Sequence, residues 1–206
     1  MQLAGNRGDV VELRAHNPGM AGGTAAAEAI FGDINPCGRL TLSWPAHVGQ
    51  QPVRRDLAPG AHQAEYPELP GVGLDPLWAF GFGLSYTTVR YRWLRLAATE
   101  LKPGETLRAR VRVANTGLRT VEEAVQWYLN DEYTSVTWPE KRSRAWRRVR
   151  LEPGEGRTIE FELPYAALAL CDGDGRWVVE PGTFRLMAGG SSRSCDLMVA
   201  RFSMRA

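Results

Sequence analysis

A mainly β protein is expected from this sequence: an antiparallel β-sandwich preceded by a partial α/β segment. Three observations predict it. From Thr106 to Asn115 the residues alternate strictly, with Leu107, Ala109, Val111 and Val113 against Arg108, Arg110, Arg112 and Ala114. A period of two with one polar face is the mark of a half-buried antiparallel strand. Further strand patterns follow at short intervals: Ala124 to Leu129, Ala145 to Leu151, Thr158 to Leu163, Arg176 to Val179, Thr183 to Ala188 and Leu197 to Phe202. Between them stand turn clusters, Asn115-Thr116-Gly117, Pro153-Gly154-Glu155-Gly156, Asp172-Gly173-Asp174-Gly175 and Pro181-Gly182. The 22 glycines and 13 prolines of this 206-residue chain exceed ordinary usage, about 17% against ~12%, which favours many turns and short strands. About seven such strands make an immunoglobulin-like sandwich of roughly 100 residues, placed here at residues 91–206.

The chain before it is built differently. Asp9 to Ala15 (DVVELRA) reads as one short strand around Val10, Val11 and Leu13, followed by a turn at Asn17-Pro18-Gly19. An alanine-rich helix is predicted from Ala21 to Phe31, with Gly32 as its stop. Ala25, Ala26, Ala29 and Ile30 form a narrow apolar stripe suited to packing on a sheet. Strand, loop and helix make half of a βαβ unit, yet a parallel strand needs paired neighbours and helices on both faces. Residues 1–45 therefore read as the closing piece of an α/β domain whose remainder lies outside this polypeptide. Residues 46–90, rich in proline and glycine, read as a linker ending in an interface segment, FGFGLSYT (Phe80 to Thr87), with Phe80, Phe82 and Tyr86 as anchors.

Several function classes are excluded at this level. With 25 Lys+Arg against 23 Asp+Glu the net charge is only +2, without the positive excess of a nucleic-acid binder. No run approaches the ~20 apolar residues of a membrane span; MQLAGNRGDVVEL has no secretory pattern, which leaves export and localisation open. Cys37, Cys171 and Cys195 are too scattered for a disulfide framework or a zinc site, and His16, His47 and His62 lack ligand spacing. The basic run KRSRAWRRVR (Lys141 to Arg150) reads as a sheet face. Trp146, Val149 and Leu151 point inward, and Glu122, Glu123, Glu160 and Glu162 offer cross-strand pairing. The Asp172 to Gly175 cluster lacks the later bidentate glutamate of a calcium loop and reads as a hairpin turn. Asp33 and Asn35 read as turn formers before Pro36, while Gly22 and Gly23 let the helix start lie close to neighbouring backbone.

Taken in order, NPGMAGG (Asn17 to Gly23), FGDINPCGRL (Phe31 to Leu40) and FGFGLSYT resemble the C-terminal part of family 3 glycoside hydrolases. VRVANTG (Val111 to Gly117), SVTWP (Ser135 to Pro139), LEPGEGRTIEFEL (Leu151 to Leu163) and GRWVVEPGTFRLMAGGSS (Gly175 to Ser192) continue the resemblance through a fibronectin type III-like domain. It covers Val10 to Phe202, with departures at His16, Cys37 and Trp44, where the family usually has an aromatic residue, serine and phenylalanine. The resemblance implies a hydrolase of β-linked glucosides or xylosides that needs two carboxyl groups across the scissile bond. In the family the nucleophilic aspartate belongs to an N-terminal (β/α)8 barrel and the acid/base glutamate to the domain that follows. Neither motif is matched in residues 1–206, so no catalytic, substrate-binding or metal residue is carried over and no cofactor is called for. The chain is expected to be inactive alone, to buttress the catalytic domains as its partners, and to meet β-glycosides only through them, with no nucleic acid and no membrane. Trp138, in SVTWP, either packs in a hairpin or reaches toward a substrate channel or a partner. Two alternatives stay open: a stand-alone β-sandwich module binding carbohydrate or protein, and a split gene whose catalytic half is a separate chain.

Overall fold

The computed structural model describes residues 2–7, 10–14, 17, 19–51, 53, 65–66, 69–73 and 75–205. Strands β1 (Gln2–Arg7) and β2 (Val10–Arg14) form an antiparallel pair. The DVVELRA strand is thus present, but its hydrogen-bonding neighbour is the preceding segment, which the sequence reading left without a strand. Asn17 adopts a left-handed backbone (φ 43°), a conformation asparagine tolerates better than most residues. Pro18, His16 and His62 lie outside the described residues.

Helix α1 (Gly22–Phe31) opens without a side-chain cap. It closes at Gly32, whose left-handed φ of 83° lets the backbone amides of Gly32 and Asp33 reach Ala29 O and Glu28 O, at 3.2 and 2.7 Å. Only part of its predicted stripe is covered. Ala29 is fully buried and Ala25 half-buried, whereas Ile30 is exposed along with Met20 and Phe31. A short hairpin of β3 (Glu65–Tyr66) and β4 (Leu69–Gly73) follows.

The remainder is the predicted sandwich. Its strands are β5 (Val89–Leu96), β6 (Glu100–Leu101), β7 (Leu107–Asn115), β8 (Val121–Asp131), β9 (Arg142–Leu151) and β10 (Gly156–Leu163). They are completed by β11 (Leu170–Cys171), β12 (Trp177–Val178), β13 (Gly182–Gly189) and β14 (Leu197–Met204). One sheet has the order β10-β7-β5 and the other β6-β14-β13-β8-β9, with β11-β12 as a separate hairpin. Its turn is the Asp172 to Gly175 cluster: the Asp172 side chain accepts from the amides of Asp174 and Arg176, and Gly175 sits at φ 80°.

Strict alternation in β7 puts Leu107, Ala109, Val111 and Val113 in the core and its arginines outside. Arg108 and Arg110 meet Glu162 and Glu160 of β10 at 3.0 and 2.9 Å. These exposed pairs contribute at most about 1 kcal/mol each. The core joins both sheets: Trp127 of β8 stacks on Phe161 of β10 at 4.6 Å, and Phe184 stacks on Phe202 at 5.3 Å within the larger sheet. Two expectations are corrected. Trp146 points outward and is exposed, because it has opposite parity to Val149 and Leu151 along β9. Of the four glutamates offered to the basic run, only Glu122 reaches it, at 3.6 Å from Arg148.

Phe184 is completely buried. Replacing it by alanine is expected to cost about 3–5 kcal/mol, read as a lower midpoint in urea unfolding with an unchanged slope.

Candidate functional site

Strand β8 is buried along almost its whole length, on both faces. Its inner face enters the sandwich core, so the outer face, with Ala124, Gln126 and Tyr128, needs a cover. Residues 37–41 and 79–83 supply it. Leu40 and the FGFGLSYT segment exchange backbone bonds, Leu40 N to Phe82 O at 2.9 Å and Gly81 N to Leu40 O at 2.8 Å. The buried Gln126 side chain donates to Gly81 O at 3.0 Å and also to Gly190 O, while its carbonyl accepts from the Tyr128 hydroxyl at 2.6 Å. Gly81 has φ 79°, and a Cβ there would stand 1.9 Å from the Gln126 oxygen, so the position needs glycine.

Charge is buried at the same junction. Arg39 donates to Glu123 at 2.6 Å, and the Tyr91 hydroxyl donates to the other Glu123 oxygen at 2.8 Å. Burial, then the adjacent Glu123 charge and hydrogen bond, raise the Tyr91 pKa well above its ordinary value, so the phenol stays protonated and remains a donor. Glu123 was expected to sit on the solvated sheet face; it is 3% exposed and belongs to this junction. Asn35 adds a third connection, donating to Thr120 O and accepting from the Ser85 hydroxyl and Tyr86 amide, each at 2.8 Å. The Tyr86 hydroxyl reaches Ala29 O of α1 at 2.6 Å, and Phe80 and Phe82 are half-buried, consistent with anchoring.

A cavity of about 560 Å³ opens beside this junction, lined by Arg39, Ser85, Tyr91, Glu123, Ser191 and Asp196 among others. Its two carboxylates are already engaged, Glu123 as above and Asp196 with the Ser191 hydroxyl at 2.7 Å. Among the described residues no group of three or more histidine, cysteine, aspartate or glutamate side chains could hold a metal. Cys37, Cys171 and Cys195 are free thiols. Among the described residues no helix is long and apolar enough to cross a membrane. Asp33 is exposed on the turn after α1. Trp138 is half-buried beneath the Arg142 guanidinium, 4.4 Å from its ring centre. The geometry is that of a polar, packed joint between an α/β segment and a sandwich.

Such a joint defines a class: one region of a multidomain protein, fastened to its neighbour through buried polar contacts. Residues 11–86 match the glycosyl hydrolase family 3 C-terminal domain, and residues 123–192 match the fibronectin type III-like domain. The chain belongs to glycoside hydrolase family 3, as that family's C-terminal part. It is 40% identical to a β-xylosidase of Formosa agariphila, over 91% of this chain and 26% of the relative. It is 33% identical to thermostable β-glucosidase B of Acetivibrio thermocellus, over 90% and 26%. Among solved structures, a β-glucosidase involved in saponin metabolism from intestinal bacteria matches with a TM-score of 0.86 and 40% identity, over 92% of this chain and 25% of that one. A β-glucosidase of Listeria innocua bound to gluconolactone matches at 0.82 and 29%, over 90% and 26%. The chain thus spans about a quarter of the length of these relatives.

Two measurements probe the charges. Arg39→Leu leaves the Glu123 carboxylate buried without its counter-charge and is expected to cost about 3–5 kcal/mol, much of it recovered in an Arg39→Leu/Glu123→Leu double variant. Separately, burial, with a smaller contribution from Glu180, pushes the Asp131 carboxyl up from 3.8 to about 6; the Tyr133 amide pulls the other way without reaching hydrogen-bond geometry. The raised folded value means the folded state binds the proton more tightly than the unfolded state. Stability is therefore expected to fall as pH rises from about 4 through about 6. Asp131→Asn should flatten that slope in thermal melts and raise the melting temperature at pH 7.

Proposed function

We propose that this chain serves as the structural buttress of a family 3 β-glycosidase, one that hydrolyses β-glucosides or β-xylosides. Catalysis belongs to upstream domains, which supply an aspartate nucleophile and a glutamate acid/base on either side of the scissile bond. Within this reading, residues 1–45 close the α/β sandwich domain, 46–90 form the linker with its FGFGLSYT interface, and 91–206 are the fibronectin-like sandwich. The observation that carries it is the joint around Arg39, Glu123 and Gln126. Buried charge and two-sided burial of β8 tie the α/β segment to the sandwich, so whatever packs on that segment is held in a fixed orientation to the sandwich. The uncovered Met20, Ile30 and Phe31 around α1 support a neighbour on that side. A second reading, a stand-alone carbohydrate-binding module, draws on the exposed Trp146 and Trp177, since exposed indoles stack on sugars.

The purified chain is expected to leave aryl β-glucosides and β-xylosides intact. A chimera in which it replaces the matched region of the Formosa agariphila β-xylosidase should remain folded and hydrolyse an aryl β-xyloside, whereas the relative cut short before that region should not. Hydrolysis by the chain alone, or full activity and stability of the shortened relative, would overturn the proposal. Glycan binding by the isolated chain at micromolar affinity would favour the module reading.

A further inference from the structure

The joint packs on the outer face of the larger sheet, so the outer face of the smaller sheet, β10-β7-β5, lies on the far side of the sandwich from it. The register fixes what that face carries. Along β5, Arg90 stands opposite Ala114, Trp93 opposite Arg112 and Arg95 opposite Arg110. Arg92 is the extra, exposed residue of the bulge between Tyr91 and Trp93. On the other side of β7, Arg112 faces Thr158, Arg110 faces Glu160 and Arg108 faces Glu162. The alternation that sends Leu94, Val111 and Val113 into the core turns Trp93, Arg95 and Arg112 outward.

Charge on this face is unevenly balanced. The two glutamates of β10 answer Arg108 and Arg110. Among the described residues no carboxylate pairs with Arg90, Arg92, Arg95 or Arg112, although elsewhere exposed arginines such as Arg148, Arg157, Arg201 and Arg205 each have one. Arg95 and Arg110 are like charges directly opposite one another, an arrangement that costs a sheet stability. Two of the unpaired guanidiniums are nonetheless held in place. Arg95 lies over the half-buried Trp93 ring, 4.9 Å from its centre. Arg112 donates to the Thr158 hydroxyl at 3.4 Å and is seated over Gly156, where an added Cβ would stand 2.8 Å from its Nη2. A positioned guanidinium with N–H groups to spare is a fork for a carboxylate. From Arg90 to Arg95 the strand extends roughly 17 Å, so anionic groups spaced along a chain can meet these arginines together where one small anion cannot.

Resting on the buttress reading, under which the parent enzyme works on β-linked sugars, we infer that the arginine face of β5 and β7 holds an anionic glycan, a β-linked polymer with uronate carboxylates spaced along it. Its carboxylates pair with Arg90, Arg92, Arg95 and Arg112, and its hydroxyls meet Thr158 and the neighbouring Glu160 and Glu162. A nucleic acid fits this face poorly. Its phosphates follow at one charge per about 1.7 Å of duplex axis, which presses them against the same two glutamates, and the Trp93 ring already lies under Arg95 instead of being open to a base. The face holds polymer beside the enzyme; bond cleavage stays with the upstream domains.

The test is electrophoresis of the full chain through gels containing glucuronoxylan. Exposed ion pairs are weak and screened by salt, so four of them are expected to give a dissociation constant of about 1 mM in uronate, with retardation lost at about 0.5 M NaCl. That is far weaker than the micromolar binding that would mark a stand-alone module. Arg95→Gln/Arg112→Gln is expected to weaken binding at least about tenfold and to leave the melting temperature unchanged or higher, since it removes the like-charged neighbour of Arg110. Glucuronoxylan with its carboxyls reduced to alcohols should cause no retardation. In the chimera with the Formosa agariphila β-xylosidase, the double variant should leave kcat and KM for an aryl β-xyloside unchanged. No retardation, equal retardation by the reduced polymer, or undiminished binding by the double variant would overturn the glycan face, and the buttress reading would stand as long as the chimera hydrolyses. A folded chimera without activity, while the chain still binds, would overturn the buttress reading alone. Tighter retention by a single-stranded oligonucleotide or by phosphatidylserine vesicles, lost in the double variant, would assign the arginines to a nucleic acid or a membrane and overturn the proposal.

Discussion

The architecture turns on a strand that has no face for water. Because β8 carries Trp127 and Leu129 into the sandwich core and Gln126 and Tyr128 on the other side, folding the sandwich creates a second surface that must be covered. The chain covers it with its own linker, and the cover is polar enough to be specific. Gln126 pairs with the Gly81 carbonyl, and Arg39 brings a charge that only Glu123 balances. Dry packing alone tolerates sliding; a buried ion pair with a fixed hydrogen-bond geometry does not, since misplacing it by one residue strands a charge. The α/β segment is consequently fastened to the sandwich in one orientation.

Much of this sandwich was legible in the residues. β7 reads directly because its outer arginines meet solvent and its inner residues meet the core, so period two survives intact. The same rule failed where both sides are covered. β8 is longer than the apolar run Ala124 to Leu129, since Glu123 and Asn130 look like surface residues until the linker and Arg185 are placed against them. Trp146 was read inward on hydrophobicity alone, although counting by twos back from Leu151 puts it outside. β5 escaped notice because Arg90, Arg92 and Arg95 interrupt its apolar residues and a bulge near Tyr91 shifts the register. The joint itself had a partial signal. FGFGLSYT marked the interface, but nothing in the spacing of Arg39, Tyr91 and Glu123 announced that they meet.

One surface beside α1 stays uncovered. Its exposed side chains, Met20, Ile30 and Phe31, are aliphatic and aromatic, and they tolerate any apolar neighbour of suitable shape.

The order of the larger sheet, β6-β14-β13-β8-β9, has a consequence for biosynthesis. β14 lies between β13 and β6, and it leaves the ribosome after both of them. Until it arrives, one side of β13 has no hydrogen-bonding partner and Phe184 lacks the ring it stacks against. Nascent chains therefore leave the edge of β13 open only while residues 190–196 are made, whereas β6 waits for its sheet partner while residues 102–196 are made.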